Sequence, residues 1–560
     1  MNRRRFVSLT ARSLVVGAAA HHWPLAAQGT ATGNGPLVEI STGRVRGTAA
    51  AGVRMFKGIP YGASTAGANR FMLPKPPEAW TGVRDASAYG PRAFQPFRPM
   101  VPEIGDALTG SGPMSEDCLR LNVWTPNTDN GRRPVMVWFH GGGQRTGSGN
   151  SIFYDGTELA RKHDVVIVTV THRLNALAHL WLAGVPGTGD QFAQTANLGL
   201  HDLVAALRWV QVNISRFGGN PGNVTIFGQS GGGGKTAMLT AFPSAKGLFH
   251  KAIIMSTLVD TAVTGLEPAR AVEAAELLLQ RLDLKPAQAS QLMSLPAERI
   301  ITALTGGGNA GGQGGNATGA DLSLRYVPVV DGTSLPAHPF QPASPLSADI
   351  PIMTGSNECE GVPYANPDDP YWTRRVEDDA TLRALVKQIV PMSDQDADAM
   401  IALYRSHRPT QSRDDLASVM AGDNSALRLA SYTIAERKFA QQAAPLYLYA
   451  FRWRSPQREG RLRSMHCMEL PFVFDHPDAI SSMTGNGPER AALAEQMSRA
   501  WVAFARTGNP NHSGIPKWDP WNPTRWPTMV FDRQVAAVDD PFGEERRAMA
   551  DARAKAGRRG

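Results

Sequence analysis

The sequence predicts an α/β fold: a central, mostly parallel β-sheet with helices packed on both faces. Three observations carry this. Short apolar, β-branched runs recur along the first half of the chain: VMVWF at 135–139, VVIVTV at 165–170, NVTIF at 223–227 and AIIM at 252–255. Their near-continuous hydrophobicity suits strands covered on both faces. Between the middle two lies HDLVAALRWVQVNI, 201–214, with apolar residues at helical spacing, and strand–helix–strand order implies parallel neighbours. Finally, a chain of 560 residues with 42% hydrophobic and 19% charged residues can bury a large core and is neither disordered nor a coiled coil as a whole.

The remaining elements follow in order. The start, MNRRRFVSLTARSLVVGAAAHHWPLAAQG, has a basic head, an apolar run and small residues around Ala26 and Ala27. That layout predicts an export signal over 1–27, too short for a stable membrane span, and Arg3-Arg4-x-Phe6-Val7 resembles a twin-arginine signal. The expected location is therefore periplasmic or secreted. Residues 28–560 read as a single domain. IPIMTG (350–355) and APLYLYAFRW (444–453) read as further strands. TGGGNAGGQGGNATG, 305–319, cannot build a core and reads as a flexible surface loop. The pattern is largely helical over about 380–443, the expected cap over the sheet's edge, and again over 488–507. The charged tail EERRAMADARAKAGRRG reads as a frayed helix.

Charge and cysteine content exclude several classes. Loss of the signal removes Arg3, Arg4, Arg5 and Arg12, lowering the net charge of +8 by four to a mild +4. No dense basic run interleaved with aromatics occurs, so nucleic acid is not an expected partner. After the signal, no apolar run reaches the roughly 20 residues a membrane span needs. Three cysteines, Cys118, Cys359 and Cys467, without CxxC spacing, form neither a disulfide scaffold nor a metal knuckle.

The stretch FGQSGGGGKT, 227–236, holds two overlapping motifs. A phosphate-binding loop, G-x-x-x-x-G-K-[ST], would need glycine where Gln229 stands. A nucleophile elbow, G-x-S-x-G, fits fully over Gly228–Gly232, with Ser230 on a strained turn between the strand NVTIF and a small-residue helix. Upstream, FHGGG (139–143) follows the strand VMVWF, and its glycines let backbone N–H groups approach a tetrahedral intermediate.

These motifs stand in a longer order. VEISTGRVRG, FKGIPYG, SEDCLRLNVWTP (115–126), WFHGGG, RFGGNPGNVTIFGQSGGG and FARTGNPN (504–511) follow one another along nearly the whole chain. In this the chain resembles the type-B carboxylesterases, the α/β-hydrolase family that includes the cholinesterases. The resemblance implies an α/β-hydrolase fold and a serine carboxylesterase acting on a small-molecule ester through an acyl-enzyme. It implies neither metal nor organic cofactor. Ser230 would be the nucleophile. The family acid, in a G-x-N-x-x-E-G segment, maps to Glu360 of GSNECEG, with Glu358 its competitor. The family base maps to His466 of MHCMELPFVFD. Gly142, Gly143 and Gly231 would donate to the oxyanion. Ser256 and Glu469 match supporting residues of the acid and the base. His140 belongs to the HGGG turn, and His172, His179, His201 and His476 read as packing or surface residues. The alternative is an inactive adhesion or binding member of the fold; such members typically lose a triad residue, and here all three are present. A nucleotide hydrolase using Lys235 is the remaining rival.

Several positions depart from the family pattern. Gln229 stands where Glu is usual, which argues against cationic choline esters. Cys118 lacks its usual upstream partner, since YGPRAFQ has no cysteine, and reads as a buried free thiol. THRLNALAHL (171–180) replaces N-Y-R-L-G-x-x-G-F-L, with Asn175, Ala178 and His179 as departures. Cys359 precedes Glu360 and Cys467 follows His466, which leaves two readings: two separate thiols, or a disulfide stapling the acid loop to the base loop, which needs their Cα atoms within about 7 Å.

Overall fold

Eleven strands form the main sheet of the computed structural model, which describes residues 34–557 apart from 98, 111 and 306–325. The signal read at 1–27, and the Gly-rich segment beyond Thr305, lie outside the described residues. The strands are β1 (Leu37–Ile40), β2 (Gly43–Arg46), β3 (Thr48–Ala50), β4 (Val53–Pro60), β5 (Val83–Asp85), β6 (Arg120–Thr125), β7 (Arg133–Phe139), β8 (Val166–Thr171), β9 (Gly219–Gln229), β10 (Lys251–Met255), β11 (Ile352–Asn357), β12 (Leu446–Phe451), β13 (Pro527–Phe531) and β14 (Ala536–Asp539). The sheet order is β14-β13-β12-β11-β10-β9-β7-β8-β6-β4-β3, and β1, β2 and β5 make a small separate sheet.

From β8 through β7, β9, β10, β11 and β12 to β13 every pairing is parallel. These strands contain the apolar runs, and apart from Arg133, Asn220–Asn223 and Ala450 the strands β7 to β12 are buried. The flanking pairs β3–β4, β4–β6, β6–β8 and β13–β14 are antiparallel. Helices α1 (Leu198–Asn213) and α2 (Gly231–Leu239) carry the crossovers around β9. Four helices fill the segment expected to cap the sheet: α3 (Asp379–Ile389), α4 (Asp394–His407), α5 (Arg413–Asp423) and α6 (Ala426–Phe439). Side-chain oxygens of Asp378, Ser393, Ser412 and Ser425 cap their first turns, as short polar residues do at orphan N–H groups. Helix α7 (Glu489–Thr507) ends on Gly508, whose φ of 81° continues no helix. No helix among the described residues is long and apolar enough to cross a membrane.

Register brings the strand ends level. Phe139 pairs with Gly228, Gln229 with Met255, and Met255 with Gly355. The residues just past β7, β9, β10 and β11 therefore meet at one edge, where open α/β sheets place their ligands.

Candidate active site

Ser230 leaves β9 at φ 58° and ψ −126°, outside the regions an L-residue favours. Its N–H is held by Met255 O at 2.9 Å, and its carbonyl accepts from Gly234 N–H, closing the first turn of α2. The serine is partly exposed, whereas Glu360 and His466 are buried.

Only glycine fits the packing around this turn. A Cβ on Gly231 would lie 2.1 Å from Gly143 O, and one on Gly232 would lie 1.9 Å from Phe139 O. The HGGG turn thus lies backbone to backbone against the elbow. Gly142 (φ 90°) and Gly143 (φ 66°) both take left-handed conformations, and the carbonyl of Gly142 accepts from the N–H of Thr146 at 3.1 Å. The three glycines named from the sequence are contiguous in space beside Ser230.

The acid side follows from β11. Past Asn357 the chain presents two glutamates with different fates. Glu360 Oε2 is 2.7 Å from His466 Nδ1. A carboxylate only accepts, so Nδ1 carries the proton and Nε2 is left free to take one. Burial pushes the Glu360 carboxyl up, but His466, Ser256 and the Asn357 N–H outweigh it and hold it below its ordinary value. Glu358 instead faces Arg452 (3.0 Å), Arg454 (2.8 Å) and Arg408 (3.7 Å). Burial opposes its charge, yet the three guanidiniums hold it down at about 2. Glu358 is a structural anion; the acid facing the histidine is Glu360.

A second carboxylate backs the first. Asn357 N–H donates to Glu360 Oε1 at 2.8 Å while Asn357 Nδ2 donates to Glu469 Oε2 at 2.6 Å. Ser256 Oγ donates to Glu469 Oε1 at 3.3 Å and also supports Glu360. Glu469 is raised by burial first and then by the charge of Glu360, so of the two carboxyls it is the one that keeps its proton to higher pH. Asn357 was not singled out from the sequence; the asparagine of the GSNECEG segment was its only signal.

Gln229 explains the missing carboxylate before the serine. Its Nε2 lies 3.3 Å from both ring nitrogens of His466. An in-plane approach equidistant from both would collide with Cε1, so the amide sits over the ring face. Its Oε1 accepts from the Cys467 thiol at 3.5 Å. Tyr364 flanks the same histidine at 5.4 Å between ring centres.

The disulfide reading is corrected. None of Cys118, Cys359 and Cys467 is in a disulfide, and all three are buried. Cys359 pairs through its backbone with Met465, and its N–H donates to Ser464 O at 3.2 Å. Cys467 stands two residues further on at φ 74°, with its thiol turned to Gln229. Neighbouring a bonded pair in sequence did not align the two thiols.

The phosphate-loop reading finds no loop. Gly231 to Leu239 are helical, and Lys235 is fully buried, with Nζ donating to His140 O at 2.9 Å. His140 and His172 stack at 4.9 Å. A cleft of about 850 Å³ lies elsewhere, lined by Tyr89, Phe97, Met114 and Ile152 and by none of the residues above.

Comparison with known proteins agrees with this geometry. Residues 34–549 match the model of the carboxylesterase family. The chain is 34% identical to the para-nitrobenzyl esterase of Bacillus subtilis (strain 168), covering 92% of this chain and 98% of that one. It is also 34% identical to the phenmedipham hydrolase of Pseudarthrobacter oxydans, over 92% and 97% of the two chains. Among solved structures, an esterase from Clostridium hathewayi, described as hydrolysing aliphatic aromatic polyesters, superimposes with a TM-score of 0.77 at 30% identity, covering 93% of this chain and 98% of that one.

Proposed function

The chain belongs to the carboxylesterase family and is a carboxylic ester hydrolase; from that premise we propose that it works through a Ser230–His466–Glu360 triad. Ser230 Oγ attacks the ester carbonyl carbon as its proton passes to His466 Nε2. The carbonyl π pair moves onto oxygen, and the N–H groups of Gly142, Gly143 and Gly231 receive that oxyanion. Collapse breaks the bond to the alcohol oxygen, which leaves with the proton from His466. Water then attacks the acyl-serine with His466 again as base, and the carboxylic acid departs. Glu360 holds the imidazole in the tautomer that each step needs.

The observation that carries this reading is the strained Ser230 packed against the HGGG turn, with the buried 2.7 Å His466–Glu360 pair set against Gln229, the residue before the serine. Asn357, Ser256 and Glu469 act as positioning residues behind the pair. The neutral Gln229 favours uncharged alcohol groups over cationic ones. The names of the relatives, a para-nitrobenzyl esterase and a phenmedipham hydrolase, support small aryl esters and carbamates as first substrates. Residues 1–27 precede the matched region and fit an export signal; N-terminal sequencing of protein from the periplasmic fraction should find them removed, and retention of Met1 would reject it.

The test is hydrolysis of p-nitrophenyl esters from acetate to palmitate by the wild-type protein and by Ser230→Ala. Turnover abolished in the variant is the expected result. Turnover that survives in folded Ser230→Ala would mean another nucleophile.

A further inference from the structure

Lys235 is placed where a small-residue helix should have no use for it. It lies in α2, five residues past the proposed nucleophile, and is wholly buried. Its Nζ donates to His140 O at 2.9 Å, the carbonyl that opens the HGGG turn. The backbones beside it are fixed: a Cβ on Gly232 would lie 3.0 Å from the same His140 O, and one on Gly234 would lie 2.6 Å from Thr261 O.

The surroundings of Lys235 are basic or neutral. His140 follows β7, His172 follows β8, and His179 closes the short helix Ala176–His179; in all three, burial first and then Lys235 disfavours the charged form. The carboxylates on the packed elements are engaged elsewhere. Asp202 on α1 takes Arg173 through both oxygens, at 2.6 and 2.9 Å. His201, also on α1, packs edge-on against Phe242. Asp260, on the helix Val259–Ala262, is exposed. Gln229 on β9 is neutral. Both side-chain polar atoms of Gln144, next to Gly143, and Nε2 of His140, His172 and His179 have no hydrogen-bond partner among the described residues. A buried cation without a counter-ion is costly, and this one stands behind the backbone where the proposed reaction creates negative charge.

We propose that Lys235 is a positioning residue for the oxyanion hole: its ammonium clamps the His140 carbonyl, fixes the turn that carries Gly142 and Gly143, and supplies a buried positive charge matched only when the bound ester carbonyl becomes an oxyanion. The inference rests on the triad reading. It asks the lysine to favour the tetrahedral state over the bound ester, so removing it lowers kcat more than it raises KM. Burial pulls the lysine down to about 7, so its charge, and the help it gives, fades as the pH rises above neutrality.

The test compares wild type with Lys235→Met. The probe is an alkyl trifluoromethyl ketone, which adds to the active serine as a tetrahedral oxyanion, set against the KM of the matched p-nitrophenyl ester. At pH 7 the variant should bind the ketone roughly 10²-fold more weakly, the scale of one lost oxyanion interaction, with KM changed by less than about threefold. Ketone affinity of the wild type should fall between pH 7 and 9.5, and that fall should be absent from the variant. A folded variant with unchanged ketone affinity and an unchanged pH profile would overturn the proposal. If Lys235→Met does not fold, the wild-type profile decides alone, and a flat one rejects the idea. Fluorophosphonate labelling of Ser230 separates the failures: no labelling of wild type means the triad reading is wrong, whereas labelling with no lysine effect overturns only this inference.

Discussion

The two sides of the site handle buried charge in opposite ways. On the acid side each carboxyl has a partner: Glu358 has three arginines, Glu360 has His466, and Glu469, its carboxyl raised by burial, is bridged to Glu360 through Asn357. On the oxyanion side Lys235 and three buried histidines face one another, and several ring nitrogens lack partners among the described residues. Paired charge orients a group and keeps it ready. Unpaired charge waits for an anion that exists only during the reaction. The first side should therefore respond to mutation through tautomer and stability, the second through transition-state affinity.

The largest effect expected on this comparison comes from the two glutamates past β11. Glu360→Gln should lower kcat by roughly 10⁴-fold, because an amide no longer selects the Nδ1–H tautomer. Glu358→Gln should leave the His466–Glu360 pair intact but cost about 3–5 kcal/mol of stability, since Arg452 loses its carboxylate and Arg454 and Arg408 keep only Asp415 and Glu545. Glu358 is depressed to about 2. Its contribution is therefore present above the ordinary carboxylate range and lost as the pH falls through about 2. Acid denaturation curves of the variant should be flatter between about pH 4.5 and 2 than those of wild type. Loss of activity in Glu358→Gln with Glu360→Gln active would reverse the assignment.

Gly231→Ala should come next, with kcat reduced by roughly 10²–10³-fold, since its Cβ would sit 2.1 Å from Gly143 O and push the turn from the elbow. Ester turnover together with a thermal melt distinguishes this local displacement from unfolding.

Glu469→Gln should change kcat only severalfold, because burial beside Glu360 already raises that carboxyl towards its neutral form. A raised carboxyl stabilises the fold fully below its ordinary range and loses that contribution as the pH rises through its folded value. The variant should therefore lose less stability than wild type as the pH rises from acid to neutral. A steeper loss would mean that Glu469 is ionised. The smallest effect is chemical: unfolded, unreduced protein should titrate three thiols, and a single thiol would restore the Cys359–Cys467 bridge.

Much of this was legible in the sequence because it lies in short, ordered motifs. The parallel core was readable as apolar runs, since strands covered on both faces leave no polar alternation. The antiparallel edge was not: β4, VRMFKGIP, carries charges, a glycine and a proline, and its pairing with β6 is irregular between Phe56 and Ile59. Glu360 and His466 could be named because each sits in a motif, whereas Asn357 and Lys235 act through contacts 112 and 95 residues distant in the chain. The cysteines show the limit of adjacency. Standing beside a bonded pair made a Cys359–Cys467 bridge one of two readings, but backbone direction, not sequence neighbourhood, aims a side chain.

The most direct test of the account is the intact mass of the protein after brief reaction with a fluorophosphonate, in wild type and in Ser230→Ala. Wild type should carry one adduct per chain, mapped by peptide sequencing to Ser230, and the folded variant none. An adduct on another residue, or an equal adduct in Ser230→Ala, would contradict it.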